Sequence, residues 1–305
     1  MDVNDFPYRQ AYRTYLQLEK ALSPNSIEGY LQDVQKLYSF IRMQYPDKSF
    51  MDLNAEDLRQ FLEWLVDFGI SARSQARILS GIKTFYHFLT IENLVSVNPA
   101  SLLESPRIPF KLPSALSAVE IDRMIASIDL SMPQGHRNQA IIELLYGGGL
   151  RVSELVHLNR SQISFKDEYL RIFGKGNKER IVPVGQSALK AVELYLNGYR
   201  VHLSPEKEFI DRLFLNNRGS ELSRQMVFLI VRAAAKRAGI RKKVSPHTLR
   251  HSFASHLVEG GADIRAVQQM LGHESIMTTE IYLHMDRKFL QQTILKYHPR
   301  SRAGR

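Results

Sequence analysis

Residues 104–114 read Glu-Ser-Pro-Arg-Ile-Pro-Phe-Lys-Leu-Pro-Ser. Pro106, Pro109 and Pro113 cannot sit inside helices, and little periodicity accompanies them. Proline fixes φ and removes a backbone donor, so such a stretch is stiff and extended. It reads as a linker between a first domain, residues 1–103, and a second, residues 115–305. Outward on the N-terminal side, apolar residues recur at helical spacing in Tyr30-Leu31-Val34-Leu37-Tyr38-Ile41 and in Leu58-Phe61-Leu62-Leu65-Val66. Ser23-Pro24-Asn25-Ser26 and Asn54-Ala55-Glu56-Asp57 supply their starts, with cap-competent side chains and, in the first, a proline near the first turn. A third helix from about Ser71 to Leu89 carries Ile78, Ile82, Phe85 and Phe88 on one side. These helices make a small bundle.

On the C-terminal side the chain is again mostly helical, with one exception. Tyr169-Leu170-Arg171-Ile172-Phe173 and Arg180-Ile181-Val182-Pro183-Val184 are β-prone, and Gly174-Lys175-Gly176-Asn177-Lys178-Glu179 between them is rich in turn residues. The pattern predicts a hairpin whose second strand, bearing Pro183, is at an edge. The expected fold is therefore mainly α, with a small β-hairpin or sheet in the second domain.

Charge follows the same division. The chain holds 41 Lys and Arg against 31 Asp and Glu. Residues 1–110 carry 11 basic and 13 acidic residues, while 111–305 carry 30 and 18, a net of +12. A concentrated positive field suits a polyanion, either nucleic acid or an anionic membrane surface. The absence of cysteine excludes disulfides, Cys-based zinc sites, iron–sulfur clusters and a Cys nucleophile. No run approaches the roughly 18 apolar residues of a membrane span, and Asp2, Asp5, Arg9 and Arg13 interrupt any signal-peptide core. A cytoplasmic protein is expected.

Familiar nucleotide and hydrolase motifs are missing. Gly147-Gly148-Gly149 lacks a following Gly-Lys-Ser/Thr, Gly174-Lys175-Gly176 lacks the third glycine of a dinucleotide fingerprint, and no Gly-x-Ser-x-Gly occurs. His247 and His251 are four apart, but Thr248 stands where a metalloprotease needs Glu. What remains is a set of cations and proton carriers. Arg151 opens the helix Val152-Ser153-Glu154-Leu155-Val156, where an anion is favoured. Lys175 sits on the hairpin turn. Ser245-Pro246 begins a helix that places His247 and Arg250 three apart, with Phe253, Ala254 and Leu257 behind them. Leu271-Gly272 ends another helix and brings His273 to a turn, and Tyr282 follows nine residues later. Taken singly, each has an ordinary reading: surface arginine, solvated turn lysine, capping histidine, half-buried aromatic. Together they suit phosphoryl transfer. Guanidinium groups clamp a phosphate bidentately, and a tyrosyl hydroxyl becomes a nucleophile when cations or a base lower the cost of losing its proton.

In their order along the chain, Arg151, Lys175 in Gly-Lys-Gly-Asn-Lys-Glu-Arg, His247-x-x-Arg250, Leu-Gly-His273 and Tyr282 resemble the catalytic signature of the tyrosine site-specific recombinases, the phage-integrase family. Residues 23–33, Ser-Pro-Asn-Ser-Ile-Glu-Gly-Tyr-Leu-Gln-Asp, resemble the opening helix of that family's core-binding domain. Leu222-Ser223-Arg224-Gln225 and His298-Pro299-Arg300 resemble in particular the bacterial Xer branch. Gly148, where relatives commonly have Thr, departs from the pattern.

The resemblance implies a two-domain, C-shaped clamp on duplex DNA. Tyr282 would attack the scissile phosphorus to give a 3′-phosphotyrosyl link, and Arg151 and Arg250 would hold the non-bridging oxygens. His273 would add a hydrogen bond, His247 would accept the tyrosyl proton, and Lys175 would protonate the departing 5′-oxygen. Neither metal, cofactor nor ATP is implied. Arg73, Arg77 and Lys83, on the third helix, are candidate DNA contacts of the first domain. Glu154 would orient Arg151 or be a solvated helix charge, the latter being the simpler expectation. Recombination would need a tetramer, of this chain alone or with a related recombinase. The helix after Tyr282, with Phe289, Leu290, Ile294 and Leu295, would dock on a neighbouring protomer or pack on its own domain. Chromosome dimer resolution and the integration, excision or inversion of mobile elements all fit. The competing functions are a type IB topoisomerase-like enzyme, a non-catalytic DNA-binding protein, and an unrelated enzyme using His247 and His251 with a metal.

Overall fold

A computed structural model describes residues 5–106, 115–174, 179–272 and 287–302. The chain forms two compact units, Met1–Lys111 and Leu112–Arg305. In the first, α1 (Arg9–Leu18), α2 (Pro24–Gln44), α3 (Ala55–Asp67) and α4 (Ala72–Ile91) form a bundle. Ser23 caps α2 by accepting from the Ser26 N–H, with Pro24 in the first turn. Asn54 caps α3, and the Asp57 side chain returns the bond to the Asn54 N–H. Both caps are those the sequence predicts. Ile78, Ile82, Phe85 and Phe88 of α4 are all buried, among Tyr12, Leu31, Leu37 and Phe61.

In the second unit, α5 (Ala118–Ala126), α6 (Gly135–Gly147) and the short α7 (Val152–Val156) precede a small sheet of β1 (Ile163–Ser164), β2 (Tyr169–Phe173) and β3 (Glu179–Pro183). After it come α8 (Gln186–Gly198), α9 (Arg224–Arg237), α10 (Pro246–Glu259), α11 (Ile264–Leu271), α12 (Arg287–Tyr297) and α13 (Pro299–Arg302). Helix α6 is the centre of this unit. Ala140–Tyr146 is buried on every side, and α8 and α10 pack against it. The sheet is antiparallel in the order β1-β2-β3, so the proline-bearing strand is at the edge, where its missing N–H costs no ladder bond. The register pairs Tyr169 with Pro183 and Ile172 with Arg180. Leu170, Ile172 and Val182 face the core.

The C-terminal helices are seated on their own unit. Leu290 and Ile294 of α12 are buried in its core, while Phe289 and Leu295 remain exposed. His298 is enclosed, its ring 4.7 Å from that of Tyr146 and 5.4 Å from that of Phe253. Arg300 donates to both carboxylate oxygens of buried Glu143 and, at 2.7 Å, to Asp122. No helix among the described residues is long and apolar enough to cross a membrane.

Candidate active site

The site is built where three separate segments meet. Helix α6 ends at Gly147–Gly148, and Gly149 then turns the chain with φ +57°. A Cβ at Gly149 would stand 2.4 Å from Cδ1 of Phe253, so both the left-handed conformation and the packed ring of α10 require glycine. The turn delivers Leu150 to the core and Arg151 to the start of α7. On α10, Ser245 accepts from the Thr248 N–H and Pro246 occupies the first turn, the start the sequence predicts. One turn of helix before Phe253, Arg250 points inward. It donates through Nη1 to the Gly149 carbonyl (2.8 Å) and through Nη2 to the Leu271 carbonyl (2.6 Å). The third segment is the end of α11, where Gly272 closes the helix with φ +63°.

Arg151 and Arg250 are thus brought together from positions a hundred residues apart in sequence, and both bond the last turn of α11. Arg151 Nη2 donates to the Gly272 carbonyl at 3.0 Å. The end of a helix carries partial negative charge on its unsatisfied carbonyls, which favours cations there. Residue 273 follows directly. His273, Tyr282 and Lys175 lie outside the described residues, so their positions relative to the arginines belong to the sequence reading. His247 lies in the first turn of α10 and is exposed. Arg250 is not the surface residue its ordinary reading would make it: its side chain is only 7% accessible. Burial and the neighbouring charges of Arg151 and Arg180 pull its pKa down to about 10, against the opposing pull of Glu154, so it stays charged at neutral pH.

Two residues of the cluster depart from the sequence reading. Glu154 is not a solvated helix charge. It is buried, with Oε1 accepting from Nη1 of both Arg151 and Arg180 at 2.8 Å. Its Oε2 accepts from the Arg151 backbone N–H and from Arg180 Nη2, also at 2.8 Å, and Arg250 Nη1 is 3.8 Å away. Burial alone would raise this carboxyl. The hydrogen bonds and charge of Arg180, followed by the bonds from Arg151, outweigh it and hold the group below the ordinary carboxylate range. The second residue is Arg180, to which the sequence reading gave no role. A signal for it exists. Arg180 stands opposite Ile172 and two residues from Val182, both core-facing, and a charge in the inward phase of a strand needs a buried partner. Three guanidinium groups around one carboxylate leave a local surplus of positive charge, which an anion can occupy.

In the first unit the three candidate DNA contacts differ. Arg73 is exposed in the first turn of α4. Arg77 forms a two-pronged pair with buried Asp33, Nη1–Oδ2 2.7 Å and Nη2–Oδ1 2.5 Å. Lys83 donates to the carbonyls of Leu103 (2.8 Å) and Ser101 (3.4 Å). Arg77 and Lys83 therefore hold the bundle together, whatever else they touch. Among the described residues no three His, Asp or Glu side chains gather as a metal site would require, and His247 and His251 have no such company.

Residues 114–288 match the phage integrase family, and residues 10–93 match the phage integrase N-terminal SAM-like domain. The chain is 39% identical over 293 residues to tyrosine recombinase XerD of Staphylococcus saprophyticus, covering 96% of this chain and 98% of that one. It is 38% identical, over the same shares, to XerD of Staphylococcus aureus. Among solved structures it is similar to the XerH site-specific recombinase bound to palindromic difH substrate (TM-score 0.72, 22% identity, 94% of this chain and 84% of that one). It is also similar to a lambda integrase dimer bound to a COC′ core site (TM-score 0.69, 19% identity, 92% and 98%). Those two likenesses speak for the fold, and the curated relatives speak for more. The chain belongs to the phage integrase family and is a tyrosine recombinase of Xer type.

Proposed function

We propose that this recombinase exchanges DNA strands at a specific duplex site through Tyr282, with Arg151 and Arg250 as the clamp on the scissile phosphate. The observation that carries the assignment is the convergence of these two arginines on the end of α11, immediately before His273. The Tyr282 oxygen forms a bond to phosphorus, the bond from phosphorus to the 5′-oxygen breaks, and the strand is left as a 3′-phosphotyrosyl ester. The tyrosyl proton passes to His247, exposed at the start of α10, and Lys175 of the hairpin gives a proton to the departing oxygen. The arginines and His273 neutralise charge that grows on the non-bridging oxygens, where preorganised donors act most strongly. One ester replaces another, so the 5′-hydroxyl of a partner strand can reverse the step without ATP. A tetramer on two duplexes, of this chain or with a related recombinase, completes the exchange. Both units contribute contacts to the duplex, with Arg73 among those of the first. Residues 104–114 serve as the linker between them. Resolution of chromosome dimers is the reading favoured by the likeness to XerD.

The test uses a duplex selected from a random-sequence library for binding to the full chain, then nicked so that the freed 5′-hydroxyl fragment diffuses away. A covalent protein–DNA adduct forms with the intact chain and is absent with Tyr282→Phe, while binding persists. An adduct that survives the substitution places the nucleophile elsewhere. Relaxation of any supercoiled plasmid, with no recombinant product, would identify a topoisomerase instead.

A further inference from the structure

Arg180 belongs to none of the roles above, yet it ties together the elements that carry them. Its side chain is only 11% accessible. Nη1 and Nη2 bond the two oxygens of Glu154, each at 2.8 Å, and Nε bonds the Met270 carbonyl at 2.9 Å. One planar group thus joins β3, α7 and the end of α11. The three arginines occupy three successive carbonyls of that helix end: Arg180 on Met270, Arg250 on Leu271 and Arg151 on Gly272. Gly272 itself is packed against Arg180. A Cβ there would lie 3.1 to 3.2 Å from Cδ, Nε and Nη1. Because Glu154 holds Arg151 by both its backbone and its guanidinium, the orientation of Arg151 depends on what orients Glu154.

We propose that Arg180 is a positioning residue for strand cleavage, which locks the Glu154 carboxylate and the end of α11 so that Arg151 and Arg250 are held ready for the phosphate. The inference rests on the reading of these two arginines as the phosphate clamp. Lysine cannot replace Arg180, because an ammonium is a single point of charge and cannot span both carboxylate oxygens and a carbonyl with fixed geometry. The expected defect lies in the rate at saturating DNA rather than in affinity, since misplacement of a clamp by a fraction of an ångström is felt chiefly in the transition state.

The experiment uses the full chain and the selected nicked duplex, in two forms. One carries an ordinary scissile phosphate, and the other a methylphosphonate there, which has no net charge for the clamp to neutralise. Arg180→Lys and Arg180→Gln are expected to bind both duplexes as the parent does. They should form adduct about ten- to hundredfold more slowly on the phosphate at saturation, and lose most of that penalty on the methylphosphonate. An equal penalty on both substrates overturns the proposal, as does a change confined to affinity. A melting curve accompanies each variant. Should both substitutions leave the chain unfolded at assay temperature, Arg180 is a structural residue and the proposal fails. Absence of any adduct with the parent chain, or an adduct that persists in Tyr282→Phe, would count against the functional reading and not against Arg180. Cleavage by the parent combined with parent-like cleavage by both Arg180 variants sinks this inference alone.

Discussion

Replacing Glu154 by Gln preserves shape and removes one charge from the middle of three guanidinium groups. The carboxylate is 5% accessible and Arg180, its two-pronged partner, 11%. Breaking a buried pair by neutralising one member costs about 3–5 kcal/mol, because the other charge is left desolvated without compensation. In a unit of this size that corresponds to a fall in melting temperature on the order of 10 °C. The glutamine NH2 would also face N–H donors from Arg151 and Arg180, where only acceptors fit. The same arithmetic predicts a remedy. With Glu154 neutral, the three guanidiniums form an uncompensated anion site, so sulfate or inorganic phosphate should raise the melting temperature of the variant more than that of the parent, by linkage to the folded state. The pH dependence has a definite sign. Glu154 is held below the usual carboxylate range, so its contribution is present above the unfolded value of about 4.3 and is lost as pH falls through the lower folded value. The gap between parent and variant should therefore close in acid. Thermal unfolding in chloride buffer, with and without sulfate, measures all of this. Equal melting temperatures for the two proteins in sulfate-free buffer would refute the claim that this carboxylate organises the arginines.

Gly149→Ala should destabilise the second unit by about 2–4 kcal/mol, because the new Cβ meets the Phe253 ring at a positive φ; urea denaturation with parent stability would show that the turn relaxes. Arg77→Ala should weaken the first unit by about 1–3 kcal/mol by leaving Asp33 buried without its guanidinium. Arg73→Ala should leave that stability unchanged and lower the salt slope of DNA binding by about one, and an unchanged slope would remove Arg73 from the interface. His298, enclosed beside His256 and Arg300, is held neutral with its pKa pulled down to about 3 by burial first and by those neighbours second. A histidine depressed in the fold contributes its full stability above the unfolded value of about 6.5 and loses it as pH falls toward 3. The penalty is about 2 kcal/mol at pH 5, at roughly 1.4 kcal/mol per pH unit. His298→Phe should remove that part of the acid sensitivity, and a parallel stability profile for the two proteins between pH 6.5 and 4 would contradict the assignment.

What could be read along the chain was local. Caps at Ser23, Asn54 and Ser245, the alternation of the hairpin, and the edge position of Pro183 depend on neighbours within a few residues, and the three-dimensional chain reproduces them. Arg151, His247 and Arg250 were legible as candidates because their residue types and order are informative without coordinates. For Glu154 the simpler of the two expectations fails: an acid three residues from an arginine on a helix is most often solvated, but here Arg180 of β3 and Arg250 of α10, far away in sequence, lie against it. Arg180 was legible in principle from strand phase, but one inward charge gains meaning only once its partner is known. Its partner sits 26 residues earlier. Likewise, helical spacing showed that α12 has an apolar face, while only the packed unit decided that Leu290 and Ile294 are covered by their own domain and Phe289 and Leu295 are not.

The amino-acid order by itself determined the helical character, the division near residue 110 and the concentration of positive charge in the second half, since each follows from side-chain chemistry and short-range spacing; it marked Arg151, Lys175, His247, Arg250, His273 and Tyr282 as candidates through their resemblance to a family signature. Tertiary structure alone decided which charges are paired. Whether a guanidinium is solvated, bound to a carbonyl or locked on a buried carboxylate depends on segments a hundred residues away closing over it, and desolvation, which sets the strength of every one of those contacts, exists only after the chain has folded.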